Sequence, residues 1–213
     1  RRPARHGDHD RTRADRREAY PRRVQLELMP WRPVPRSHAI AALIGLALLA
    51  LWMAVDDDAY LRPLDDANLA FHEAGHPIYG LFGETLALYG GTLGQLTFPA
   101  VAAATFFLRR ERVGTAVALA WLGQNCGNIA RYVADARAQE LPLVGGGEHD
   151  WFHILSRWHA LDADHTVAAG FRLIGWALVL GAALWLAWPL RPRAAPSTSR
   201  SEEHTSELQS RGL

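Results

Sequence analysis

From Ala39 to Val55 the chain reads AIAALIGLALLALWMAV without a single charge. A helix rises about 1.5 Å per residue, so roughly 17 to 25 apolar residues in a row are what a hydrocarbon layer about 30 Å thick requires. Lipid offers no hydrogen-bond partner to a bare backbone, and a single apolar run in such a setting has to be a helix. Three further segments follow the same rule. Thr85 to Leu108 is uncharged but broken by Gly90-Gly91, Gly94, Gln95 and Pro99; Val113 to about Val133 carries Gln124, Asn125 and Asn128; Val167 to Trp188 has Arg172 near its start. The expected fold is therefore all-α: a polytopic membrane helix bundle with about four transmembrane helices. Mean hydropathy over the whole chain is close to zero only because polar ends flank an apolar middle.

Between the first two runs lies Phe71-His72-Glu73-Ala74-Gly75-His76. On a helix, residues four apart project from one face, so His72 and His76 can hold one metal ion and Glu73 stands beside it. This is the H-E-x-x-H arrangement of zinc hydrolases, with Glu73 as general base for a zinc-activated water. Asp65 and Asp66 suit the positive end of a helix starting just before the motif. Pro77 lacks the amide that continues a helix and is expected to kink or end it near His76, leaving a short interfacial helix.

Two histidines leave a catalytic zinc site one protein ligand short. Asp135, His149 and Asp150 are the candidates, with His149 favoured because it follows Gly145-Gly146-Gly147 and sits between Glu148 and Asp150. Asp150 is an alternative ligand or an orienting partner. His153, His159 and His165 read as interfacial or surface histidines. Gln124, Asn125 and Asn128 should face the bundle interior and bond one another.

Short arginine-rich connections mark the cytoplasmic side of a membrane protein. Arg32 and Arg36, then Arg109, Arg110 and Arg112, then Arg191 and Arg193 flank the runs alternately. Both termini are thus expected in the cytoplasm and the metal site on the exoplasmic side of a bacterial inner membrane. That orientation brings the segment holding His72 and the segment holding His149 and Asp150 to one face. Trp151, Trp158, Trp185 and Trp188 sit as interfacial belts would.

FHEAGH beside membrane runs resembles the site-2-protease type of membrane zinc metalloprotease. The resemblance implies that His72 and His76 bind Zn2+, that Glu73 is the base, and that a distant aspartate on another helix completes the site. The L-D-G context of that aspartate is absent; Asp135 within VADAR is the nearest analogue and Asp150 the second. The implied function is a membrane-embedded zinc metallopeptidase acting on a membrane or membrane-proximal protein. His72/His76 and His149/His153 are both H-x-x-x-H pairs, which also resemble integral-membrane di-iron oxygenases, and a non-enzymatic metal-binding membrane protein is a third reading.

The formal charge of +1 gives no reason to expect a nucleic-acid partner, and all 23 basic residues are arginine. Cys126 stands alone, which excludes an internal disulfide. The lipid bilayer is the expected partner, and the glycine-rich second run could pack against another copy. Residues 1–28 are expected to be a disordered or non-native extension before Met29, and residues 200–213 to be the translation of a sequencing adaptor that includes His204. The integral-membrane domain is then 29–199.

Overall fold

The computed structural model describes residues 30–55, 60–144 and 148–190. The extension 1–28, the adaptor-like segment 200–213, Asp56 to Asp58, Gly145 to Gly147, Arg191 and Arg193 lie outside the described residues. Six helices make up the described chain, with no strand among the described residues: α1 (Arg36–Val55), α2 (Leu64–Gly80), α3 (Glu84–Leu108), α4 (Arg112–Ala134), α5 (Asp150–Arg157) and α6 (Asp164–Ala187). One-turn 3-10 segments flank α6 at Leu161–Ala163 and Trp188–Leu190. The spans Arg36–Val55, Glu84–Leu108 and Leu161–Leu190 are long and apolar enough to cross a membrane.

Helix α4 is the centre of the bundle. Its amides and Arg131 lower its hydropathy below that of the other three, yet Gly123, Gln124, Asn125, Cys126, Ile129, Ala130 and Val133 are all buried. One core cluster joins Ala116 and Ala120 of α4 to Leu46 of α1 and to Val179, Ala182 and Leu186 of α6. A second joins Ile129, Ala130 and Val133 of α4 to Trp151, Ile154 and Leu155 of α5 and to Ala168 of α6. Helices α4 and α6 meet backbone to backbone at Gly123 and Gly175, where a β-carbon on either would press on the other's carbonyl oxygen.

Helix α2 folds back along α3 through a tight turn in which Gly83 takes a φ of 121°, a value that favours glycine. The pairing depends on missing side chains. A β-carbon at Gly75 would collide with the Gly90 carbonyl, and one at Gly94 with the backbone of Phe71 and Gly75. Phe71 stacks on Phe98 with ring centroids 4.1 Å apart. With α2 held along α3 in this way, Pro77 does not end the helix: α2 continues from His76 to Gly80 with the proline inside it. The amide that proline lacks removes a single ladder bond.

The opposite end of the bundle gathers arginine and tryptophan. The Arg32 amide donates to the Arg110 carbonyl at 3.0 Å and its guanidinium pairs with Glu111 at 2.9 Å. Trp31 meets Phe107 and Trp185 edge-on, and Arg112 lies over both Trp31 and Trp185. Substituting Gly75→Ala forces α2 off α3 and should cost about 1–3 kcal/mol, the usual range for overpacking. Thermal unfolding in detergent should show a lowered midpoint, and an unchanged one would mean that the two helices are not packed this closely.

Candidate metal centre

One turn of α2 separates His72 from His76, and their ring centroids lie 5.1 Å apart. Each ring is fixed through Nδ1. His72 Nδ1 lies 3.3 Å from Gln95 Oε1, and His76 Nδ1 lies 2.9 Å from the Ala87 carbonyl. Both of these partners are oxygens, so Nδ1 donates in each ring, and Nε2 is the nitrogen left to face a metal ion once its own proton is given up. Both Nε2 atoms point at Asp150 Oδ2, at 3.0 and 3.3 Å. The ligand atoms of His72, His76 and Asp150 lie within 4.8 Å of one another, and the three residues could hold a metal ion. Two imidazoles and a carboxylate leave the fourth position of a tetrahedral ion open.

The place of His72 is carved out by glycine. A β-carbon on Gly91 would overlap the His72 ring, so α3 is notched where the ring sits. Asp150 is set by α5, which hangs on α3 through Trp151 Nε1 donating to Thr92 Oγ1 at 3.1 Å and Trp158 Nε1 donating to the Tyr89 hydroxyl at 2.9 Å. The Asp150 amide donates to the Tyr132 hydroxyl at 3.1 Å, tying the same residue to α4.

His149, the third ligand favoured on sequence, is used otherwise. Its Nδ1 accepts from the Phe152 amide at 3.2 Å, making it the N-cap of α5. The ring is buried, and burial pushes its basicity down against the opposing charge of Asp135. Nε2 stands 3.4 Å from Asp135 Oδ2, close enough for charge attraction but outside hydrogen-bond geometry. Asp135 itself caps α4 and accepts from the amides of Glu140 and Leu141 at 2.9 and 3.1 Å. Neither joins the His72, His76 and Asp150 group. His159 and His165 are exposed.

Glu73 is exposed and lines two adjoining cavities with His72. The larger, about 370 Å³, has His76, Asp150, Glu148 and His153 in its wall. The smaller, about 180 Å³, runs past Leu69, Leu141, Leu143 and Val144 down to Asp65, Gln95 and Asn128. His153, an interfacial or surface histidine on sequence, lines this cavity and pairs with Glu148 at 2.7 Å. Gln95, Tyr132 and Asp65 also belong to it. Gln95 could have been suspected as a lone amide within an apolar run; nothing in the sequence names its partner.

Charge in the group follows from these contacts. The hydrogen bond to Asp150 outweighs burial and raises the His76 imidazole to about 9. Burial pushes the Asp150 carboxyl up, but the hydrogen bonds from His72 and His76 overcome it and bring the group down to about 2. At neutral pH, His76 is therefore protonated on Nε2 and the proton stands where a metal ion would bond.

No family model matches the chain, and no curated protein or solved structure shows significant similarity to it.

Two outcomes follow. Asp150→Ala should reduce bound metal from one equivalent to near zero by elemental analysis, whereas His149→Asn, which keeps a capping acceptor, should retain it. Because metal must displace the His76 proton, apparent affinity should rise about tenfold per pH unit between pH 7 and 9 and level off above that. Competition against a chelator at three pH values measures the slope; a flat profile would remove His76 from the ligand set.

Proposed function

We propose that this protein is a membrane-embedded zinc-dependent hydrolase, of the metallopeptidase kind, that cleaves a peptide bond in a membrane or membrane-proximal protein. The observation that carries this reading is the convergence of His72, His76 and Asp150 beside Glu73 at the wall of a cavity. When bound, zinc acidifies a coordinated water and polarises a carbonyl. Glu73, one residue on from His72, would serve as general base, taking a proton from the attacking water and returning it to the leaving amine. Asp150 and the two imidazoles would hold the ion, while Gln95 and the Ala87 carbonyl fix the orientation of the imidazoles. The larger cavity admits the scissile bond, and Leu143 and Val144 supply an apolar flank for a substrate side chain.

The proposed architecture is four spans, with α4 joining α1, α3 and α6 in crossing the membrane and α2 carrying the motif beside them. Burial of α4 among the other three supports this, since its amides turn inward and away from lipid. The gathering of Arg32, Arg110 and Arg112 at one end supports a cytoplasmic assignment for that end of a bacterial inner-membrane protein, with the metal group toward the exoplasmic side. A single-metal site is favoured over a di-iron one, because the His149/His153 pair does not reach the group: His149 caps α5 and His153 pairs with Glu148.

Detergent-purified, zinc-loaded protein incubated with quenched-fluorescent peptides tests the reading. Glu73→Gln should retain one zinc and lose activity by about 10²- to 10⁴-fold, the range for removal of a general base. Full activity in that variant would sink the mechanism, and tightly bound iron with oxygen-dependent turnover would move the protein to another class.

A further inference from the structure

The first turn of α2 places Asp65 deep in the bundle, 2% exposed. Its Oδ1 accepts from Gln124 Nε2 at 2.6 Å, Asn128 Nδ2 at 3.2 Å and Asn68 Nδ2 at 3.3 Å, and its Oδ2 accepts from the Leu61 amide at 2.6 Å. All four donors are neutral N–H groups. A carboxylate facing such a set accepts and does not donate, so every amide that meets it has to present nitrogen. For Asn128 this leaves its oxygen on the far side, where it accepts from Gln95 Nε2 at 2.7 Å. Gln95 is then obliged to turn its own oxygen outward, and that oxygen is the one 3.3 Å from His72 Nδ1. The direction of each bond dictates the next.

We propose that Asp65 is a positioning residue for the metal centre, acting through Asn128 and Gln95 to hold the His72 proton on Nδ1 and its lone pair on Nε2. The inference rests on the metal site of the proposed function and extends it to a residue that does not itself touch the His72, His76 and Asp150 group. Were the amide chain reversed, the Gln95 NH2 would face Nδ1, the proton would move to Nε2, and His72 would present no lone pair to the ion. Asp65 is the only member of the chain from Asp65 to Gln95 that cannot be reversed by rotation. Its neighbours on α4 reinforce it: Gln124 Oε1 accepts from Asn68 Nδ2 at 2.7 Å, and Asn68 Oδ1 accepts from Trp121 Nε1 at 2.8 Å and Asn125 Nδ2 at 3.0 Å.

The test measures zinc affinity by chelator competition in full-length protein in detergent. Asp65→Asn removes the fixed acceptor and should weaken zinc about 10-fold, the low end of what outer partners of metal ligands contribute. Gln95→Glu presents oxygen to His72 whatever lies behind it, so the double variant D65N/Q95E should recover affinity to within about threefold of wild type. A purely architectural loss would not be recovered in this way. In ¹⁵N-histidine spectra of the zinc-loaded protein, the slowly exchanging His72 Nδ1 proton should be present in wild type, lost in D65N and present again in the double variant. If D65N does not fold, Asn128→Leu cuts the same chain and N128L/Q95E carries the same comparison. Wild-type protein that binds zinc tightly while D65N binds it equally well, or while Q95E gives no recovery, overturns the relay and leaves the metal site standing. Wild-type protein that binds no zinc overturns both.

Discussion

A polar group taken out of water has to find its hydrogen bonds inside the fold, and this requirement shapes the interface between α2 and α4. Asp65, Asn68, Gln124 and Asn125 are all buried, and Gln95 joins them from α3. Leaving one unpaired would cost on the order of 1–3 kcal/mol, more for the carboxylate. The bonds that Asp65 and Asn68 make to Gln124 and Asn125 tie the rotation and the height of α2 to α4, since a shift of one residue breaks several at once. The height of α2 in turn sets the level of His72. Geometry at the His72, His76 and Asp150 group is thus tied to a seam of amides, while α1 and α6 contribute apolar burial.

Glycine supplies the complementary constraint. Where the amides fix height, Gly75, Gly90 and Gly94 fix distance, because backbone meets backbone there with no side chain between. Gly91 then makes the hollow that takes the His72 ring. The middle of the H-E-x-x-H motif is accordingly used twice: its polar residues face the cavity, and Gly75 is the contact that lets α2 lie against α3. This dual use explains why Pro77 is tolerated. The helix at that point is held by α3 on one side, which offsets the cost of the proline, about 3 kcal/mol for an interior position.

Much of this was legible in the chain. The apolar runs gave α1, α3 and α6 nearly to the residue, because length without charge has few interpretations. The inward turn of Gln124, Asn125 and Asn128 followed from the cost of facing amides to lipid. Of the two outcomes expected at Pro77, an end to the helix is not what occurs, because the rule for proline treats the helix as isolated. His72, Glu73 and His76 are visible as a spacing and Asp150 as a candidate beside them, but the residues behind His72 are not: Gln95, Asn128 and Asp65 lie on three different helices, and a chain of hydrogen bonds among them leaves no periodic trace. His153 is part-exposed, as an interfacial or surface histidine would be, and it also lines the larger cavity, which its sequence position does not disclose.

The choice between His149 and Asp150 shows the limit most plainly, since the two are neighbours and both can bind metal. What separates them is where α5 begins. The residue before the first turn of a helix turns its side chain back to the free amides of that turn, and the imidazole of His149 is consumed in this way. The next residue is already helical and points about 100° further round, which carries Asp150 toward α2. Trp151 then locks the rotation of α5 by its bond to Thr92, one position along α3 from the Gly91 hollow under His72. A helix starting one residue earlier would put His149 at the first helical position in place of Asp150, so which of the two neighbours meets His72 and His76 is decided by a cap and a tryptophan anchor, with ligand chemistry common to both.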